Sequence, residues 1–375
     1  VTLNKKTIAL AAASAALTAA PALADTLIYG SALPSIHQAN TVVVEPYAEA
    51  VAQATDGEVD IQLTAGGALA GNRETLGAVS DGALDMGLIT DFYTPTELPN
   101  STMISDLGVL GKDARVITAA VNENLLIACK TCKADYEELG IVPMMMYSTT
   151  PYHVMCKGVD ANALANLKGV KIRATGAMGQ LMAGIGANPV NLQTTEAYEA
   201  MQRGSISCIA GSIPWLKTYQ LGDMVTSVNM MALGTFHGTL PLNINADRWA
   251  ELSDEQRAAM IEAIPARVRA IAKSYEDDDI SVREDFEAKG VSFVEADQAF
   301  IDAVEAHAAS DVERVGEAAG DRGAVDPEAS IAVFQGLVEK WTGIVNDIGE
   351  GAWDEAQWDA YEQKIREEIY EKAEF

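Results

Sequence analysis

The sequence predicts an α/β protein of two lobes, each a mixed sheet flanked by helices, joined by crossing strands and followed by a helical C-terminal tail. Three observations lead there. The order β-α-β-α-β occurs twice, over residues 26–90 and again over 170–210, and it is the pattern of a parallel sheet covered by helices. Two extended runs, 141–156 and 225–245, can carry the chain from one unit to the other and back. From Arg248 onward the apolar spacing is helical.

Residues 1–24 have the pattern of an export signal. Lys5 and Lys6 precede an apolar, alanine-rich stretch over 7–20, and Ala22-Leu23-Ala24 is a small-residue cleavage site before Asp25. Asp25 is not the cysteine that lipid attachment would need, so the expected product is a secreted, periplasmic, soluble chain starting there. The first lobe (25–147) opens with a strand at 26–31, a helix at 41–55 and a second strand at 59–63, after the Asp56-Gly57 turn. The glycine-rich corner at 66–71 lacks the Gly-Lys-Ser/Thr ending of a phosphate loop and is expected to be a tight turn. A helix over 72–80 and a strand over 84–90 follow. Residues 91–106, with Pro95 and Pro99, are expected to form a loop over the cleft. A helix at 114–129, continuing to 139, ends this visit to the first lobe.

The second lobe (148–235) contains the most informative stretch. Leu167-Lys168-Gly169 leads into Val170-Lys171-Ile172-Arg173-Ala174, where alternation puts Val170, Ile172 and Ala174 on one face and Lys171 and Arg173 on the other. A helix over 177–185, a strand over 189–192, a helix starting near 195 and a strand over 205–210 complete the unit. Ligands of such sheets bind beyond the carboxyl ends of the strands, and Arg173 stands at such an end. Residues 236–348 are expected to complete the first lobe and a two-strand hinge. They include a capping box, Ser253 to Gln256, and a short strand at 291–294 assigned to the first lobe. In the C-terminal extension (349–375), Trp358, Tyr361, Ile365 and Ile369 form one apolar helical face. That face is expected to pack on the protein's own body, with a dimer contact as the alternative.

The sequence carries 26 basic and 54 acidic residues, a net charge of −28, and loss of Lys5 and Lys6 with the leader makes it more negative. So acidic a surface argues against nucleic-acid or anionic-membrane partners. No stretch after the leader has the roughly 18 apolar residues of a membrane span. The 4 cysteines allow three pairings; Cys129 with Cys132, and Cys156 with Cys208 across two strands, is the favoured one. No second Cys-x-x-Cys or neighbouring histidines accompany the first pair, so neither a metal nor another cofactor is expected.

The stretch Leu167–Arg173, together with Gly186-Ala187-Asn188-Pro189-Val190, Glu196-Ala197-Tyr198 and Ala200-Met201-Gln202-Arg203-Gly204, resembles the core signature of the solute-binding subunits of TRAP transporters (tripartite ATP-independent periplasmic transporters, extracellular solute-binding protein family 7). The resemblance implies a type II-like periplasmic-binding-protein fold and delivery of ligand to small and large membrane subunits that use an ion gradient, with no ATP hydrolysis. It also implies that Arg173 pairs with a substrate carboxylate. A planar guanidinium suits that role, since it can bind both carboxylate oxygens at once.

Where many relatives have a second arginine, this chain offers Tyr152 or His153. Where the family's last strand ends in a ligand-binding asparagine, it has Ser212, with Trp215 nearby; an aromatic residue before Glu196 in relatives is Thr194 here. One cation with aromatic and hydroxyl neighbours fits a small monocarboxylate, or a small sulfonate, better than a dicarboxylate. Asp91, Phe92 and Tyr93 are the first-lobe candidates, Phe92 ahead of Asp91, whose charge would repel an acid. An exported enzyme is the weaker alternative: there is no Gly-x-Ser-x-Gly elbow or His-Glu-x-x-His, and the histidines (His37, His153, His237, His307) are scattered. A ligand-binding protein that feeds a membrane sensor would have the same lobes.

Overall fold

The computed structural model describes residues 25–375, so the export signal expected over 1–24 lies outside the described residues. The strands in chain order are β1 (Asp25–Gly30), β2 (Val59–Thr64), β3 (Met86–Gly87), β4 (Ile89–Thr90), β5 (Ile141–Tyr147) and β6 (His153–Cys156). They continue with β7 (Lys171–Arg173), β8 (Asn188–Val190), β9 (Cys208–Gly211), β10 (Ser227–Asn229), β11 (Thr239–Asn245) and β12 (Ser292–Val294). They form three sheets, β2-β1-β3, β4-β11-β5 and β12-β10-β6-β9-β7-β8. The first two belong to one apolar core and the third to another. The architecture is thus two-lobed and mixed α/β.

The strand expected over 84–90 is two pieces in two sheets. β3 runs parallel to β1, and β4 pairs antiparallel with β11. Gly87 permits this close passage, since a Cβ there would lie 2.6 Å from Thr75 Cγ2. Residues 91–106 are a compact turn (Asp91–Tyr93) and a helix (Pro99–Ser105) rather than a loop. Pro99 suits the first turn of a helix, where a missing N–H is harmless. The capping carboxylate is distant in sequence: Asp135 accepts from the N–H groups of Asn100 (2.8 Å) and Ser101 (2.9 Å).

The hinge differs from expectation as well. Besides the β5–β6 and β10–β11 connections, two helices run from one core to the other. The 25-residue helix Ile264–Ala288 spans about 37 Å. It buries Val268, Ile271 and Tyr275 in the first core and Val282 and Phe286 in the second. That length explains why β12, assigned from sequence to the first lobe, instead joins the second-lobe sheet, parallel to β10. The helix Gln298–Asp321 returns the chain, with Phe300 and Val304 in the second core and Val315 and Ala319 in the first.

The C-terminal segment packs on the first lobe. Trp358, Tyr361, Ile365 and Ile369 are buried in its core, and the Tyr361 hydroxyl donates to the Arg115 carbonyl (2.7 Å). The Arg115 guanidinium in turn lies over Trp353, 4.4 Å from the ring centre. Disulfides join Cys129 to Cys132 and Cys156 to Cys208, the second tying β6 to β9. Among the described residues no helix is long and apolar enough to cross a membrane.

Candidate functional site

Arg173 ends β7 and is 1% exposed, although Lys171, two residues earlier on the same face, is exposed. The difference arises from what covers the strand end. The Arg173 Nε–H donates to the Leu192 carbonyl (2.9 Å), and Nη2 donates to the Thr194 hydroxyl (2.8 Å) and to the Tyr93 hydroxyl of the first lobe (3.3 Å). The Thr194 N–H also donates to the Tyr93 hydroxyl (3.1 Å). One first-lobe tyrosine therefore bridges to the arginine and to the backbone of the second lobe, so the lobes are held together over Arg173. All three partners of the guanidinium are neutral oxygens; among the described residues no carboxylate lies within ion-pair distance of it.

Beside this cluster is a small interlobe cavity of about 30 Å³, room for little more than a water molecule with the lobes in this position. Its walls are mainly aromatic: Phe92 and Tyr93 from the first lobe, Tyr152 and Trp215 from the second, and Phe236 from the connection back. Phe92 meets Phe236 edge-on (4.9 Å) and Tyr152 meets Trp215 (5.0 Å). The Trp215 ring lies 5.9 Å from the guanidinium carbon, a cation–π distance. A second cavity, also about 30 Å³, lies beyond Phe92, Tyr152 and Phe236. Asp106 lines it, and neither of the Arg173-bonded residues Tyr93 and Thr194 does, so the first cavity is the better place for an acid. Asp106 itself bridges the lobes, accepting from the Ala177 N–H (3.2 Å) and from Arg322 (3.0 Å).

The residues expected from sequence divide into two groups. Tyr152, Trp215 and Phe92 line the cavity, and Arg173 lies behind its wall, bonded to the lining residues Tyr93 and Thr194. His153 does not: strand alternation turns it away from Tyr152, its Nδ1–H donates to the Asn229 carbonyl (3.1 Å), and burial brings its pKa down to about 4. Ser212 is fully buried and shares a 2.6 Å hydrogen bond with Thr150, which donates to Asp279 (2.8 Å) on the long helix. Asp91 also faces away. It accepts from the Ser101 (3.0 Å) and Ser105 (2.5 Å) hydroxyls, and burial pushes its carboxyl up to about 7.

Sequence reasoning gave no role to Thr194, Phe236, Tyr219 or His37, all of which line the cavity. They come from four separate segments, and only Thr194 had a signal, its place before the Glu196 motif. Among the described residues no group of His, Cys, Asp and Glu is arranged to hold a metal ion.

Two α/β lobes joined by chain crossings, with a cavity between them, are the architecture of a solute-binding protein. The chain matches the family model "Bacterial extracellular solute-binding protein, family 7" over residues 30–318, and it belongs to that family. The outer membrane transporter protein TsaT of Comamonas testosteroni is 30% identical over 308 residues, which cover 77% of this chain and 86% of that protein. Solved structures give the same fold. A TRAP periplasmic solute-binding protein of Bordetella bronchiseptica with bound (R)- and (S)-mandelate has a TM-score of 0.72 at 22% identity, covering 84% of this chain and 99% of that one. A TRAP solute-binding protein of Rhodoferax ferrireducens with copurified benzoate has a TM-score of 0.76 at 16% identity, covering 85% and 99%.

Proposed function

We propose that this chain is the periplasmic ligand-capturing subunit of a TRAP transporter and that it binds a small monocarboxylate with an apolar, aromatic-compatible body. The observation that carries this reading is Arg173: a cation 1% exposed, surrounded by neutral oxygens, beside a cavity walled by aromatic rings. A buried charge without a counter-charge is costly, and an incoming carboxylate supplies one. Among the described residues no Lys or Arg lines the cavity itself, and Arg173 is the cation bonded to its walls through Tyr93 and Thr194, so a second carboxylate would be left unpaired. The aromatic walls give the remainder of the ligand an apolar surface with no need for further charge.

With the lobes apart, the acid docks on Arg173 from the second lobe. Tyr93 and Phe92 then close over it, and exclusion of water strengthens the ion pair. The chain crossings between the lobes absorb the motion. The closed form is handed to the small and large membrane subunits, where the ion gradient drives uptake. The family and fold are those of solute-binding proteins rather than enzymes.

A thermal-shift screen of small organic acids, followed by calorimetry, tests the reading. Monocarboxylates are expected to raise the melting temperature of the wild type and to have no effect on Arg173→Ala. Greater stabilisation by succinate or malate than by any monoacid would overturn it.

A further inference from the structure

The cavity holds polar atoms that the carboxylate site does not use. Trp215 is 4% exposed and its indole Nε1–H has no partner; Asn72 is 3% exposed and its Oδ1 has none. Both residues line the cavity. His37, 2% exposed, lines it too. Its Nδ1 accepts from the Ala39 N–H (3.0 Å), which places the ring proton on Nε2 and makes that nitrogen a second donor. The aromatic contacts run from Trp215 to Tyr219 (5.4 Å) and on to His37 (5.7 Å), so this polar set is continuous with the wall beside Arg173. Buried polar groups in native proteins are nearly always paired, and the Trp215 Nε1–H and the Asn72 Oδ1 have no partner among the described residues.

We propose that Trp215, His37 and Asn72 form a second subsite that recognises a hydroxyl group of the bound acid. The chemistry selects that group. Trp215 and His37 offer donors and Asn72 offers an acceptor; a hydroxyl both accepts and donates, whereas a carbonyl or ether only accepts. A second carboxylate would meet no cation here, because burial lowers the His37 pKa to about 3 and keeps the ring neutral. An unsubstituted hydrocarbon would leave the Trp215 and Asn72 groups unpaired. A site built to bond a hydroxyl discriminates strongly against the analogue that lacks it. The ligand class is therefore a hydroxy-monocarboxylic acid with an apolar or aromatic frame. This inference rests on the acid-binding reading and narrows it.

The test is calorimetry with pairs of acids that differ only in the hydroxyl: 3-hydroxybenzoate against benzoate, and mandelate against phenylacetate. Wild type, Trp215→Phe and Asn72→Ala are compared, with circular dichroism confirming that each variant is folded. Trp215→Phe keeps an aromatic ring and removes only the donor-bearing part of the indole; Asn72→Ala removes the acceptor should the first variant misfold. The expected result is that at least one hydroxy acid binds wild type about tenfold or more tighter than its partner. That ratio should fall towards one in either variant. Equal affinities within both pairs, or a preference that survives both substitutions, would overturn the subsite. Failure of all four acids to bind wild type would instead strike the carboxylate reading, and the subsite with it.

Discussion

The two faces of the cleft are made of different material. On the second-lobe side, Arg173 and Gly211 end neighbouring strands of a six-stranded sheet whose β6 and β9 are tied by Cys156–Cys208, and Trp215 starts the turn just beyond. On the first-lobe side, Phe92 and Tyr93 sit in one three-residue turn after a two-residue strand. The first arrangement fixes a charge in place. The second brings aromatic rings over it and joins to it by the single Tyr93 hydroxyl. On the proposed function, the contrast makes anchoring and closing separate tasks, given to a braced sheet and to a short turn.

Substitutions on each side should separate them. Arg173→Ala removes the anchor and is expected to weaken binding of a monocarboxylate by about 3–5 kcal/mol, on the order of a hundredfold or more, measured by calorimetry. Its far-UV circular dichroism should match wild type, since the side chain makes no ion pair within the protein. Replacing Cys156 and Cys208 together by alanine removes the brace. Denaturant unfolding should show a loss of about 2–4 kcal/mol, while the molecules that remain folded still bind. Tyr93→Phe removes the closing bond but leaves the ring. Binding should weaken by about 1 kcal/mol, roughly fivefold, mainly through faster ligand release in stopped-flow experiments.

Asp91 supplies the counter-case to Arg173, a buried charge-bearing group that serves the fold. Burial raises its pKa to about 7, above the unfolded value, so it favours the native state at low pH and that contribution is lost as pH rises from about 4 through 7. Glu276 (about 7) and Asp279 (about 6), also raised by burial, act with the same sign. Asp91→Asn should flatten part of the fall in melting temperature across that window. Binding of the acid at neutral pH should be within about twofold of wild type, because Asp91 faces Ser101 and Ser105 rather than the cavity.

What the sequence revealed follows the same division. Arg173 was legible because its strand, its exit and its neighbouring motifs are contiguous, and local alternation places it. The aromatic pair Tyr152 and Trp215 followed from the same lobe. Phe236, Tyr219 and His37 were not legible, because tertiary contacts alone assemble them from distant segments. His153 and Ser212 were placed in the site by their alignment with ligand-binding positions of relatives. In the fold, a hydrogen bond to Asn229 turns His153 away, and Thr150 takes up the Ser212 hydroxyl. The course of β12 was hidden for a related reason. Nothing in residues 292–294 says which sheet they join; the length of the helix before them decides it.

A crystal structure of the protein grown with its best-binding acid tests the central claim most directly. The account predicts both carboxylate oxygens within about 3 Å of the Arg173 guanidinium nitrogens, with the remainder of the ligand between Phe92, Tyr152 and Trp215. An acid bound elsewhere, with Arg173 still engaged only by Leu192, Thr194 and Tyr93, would contradict it.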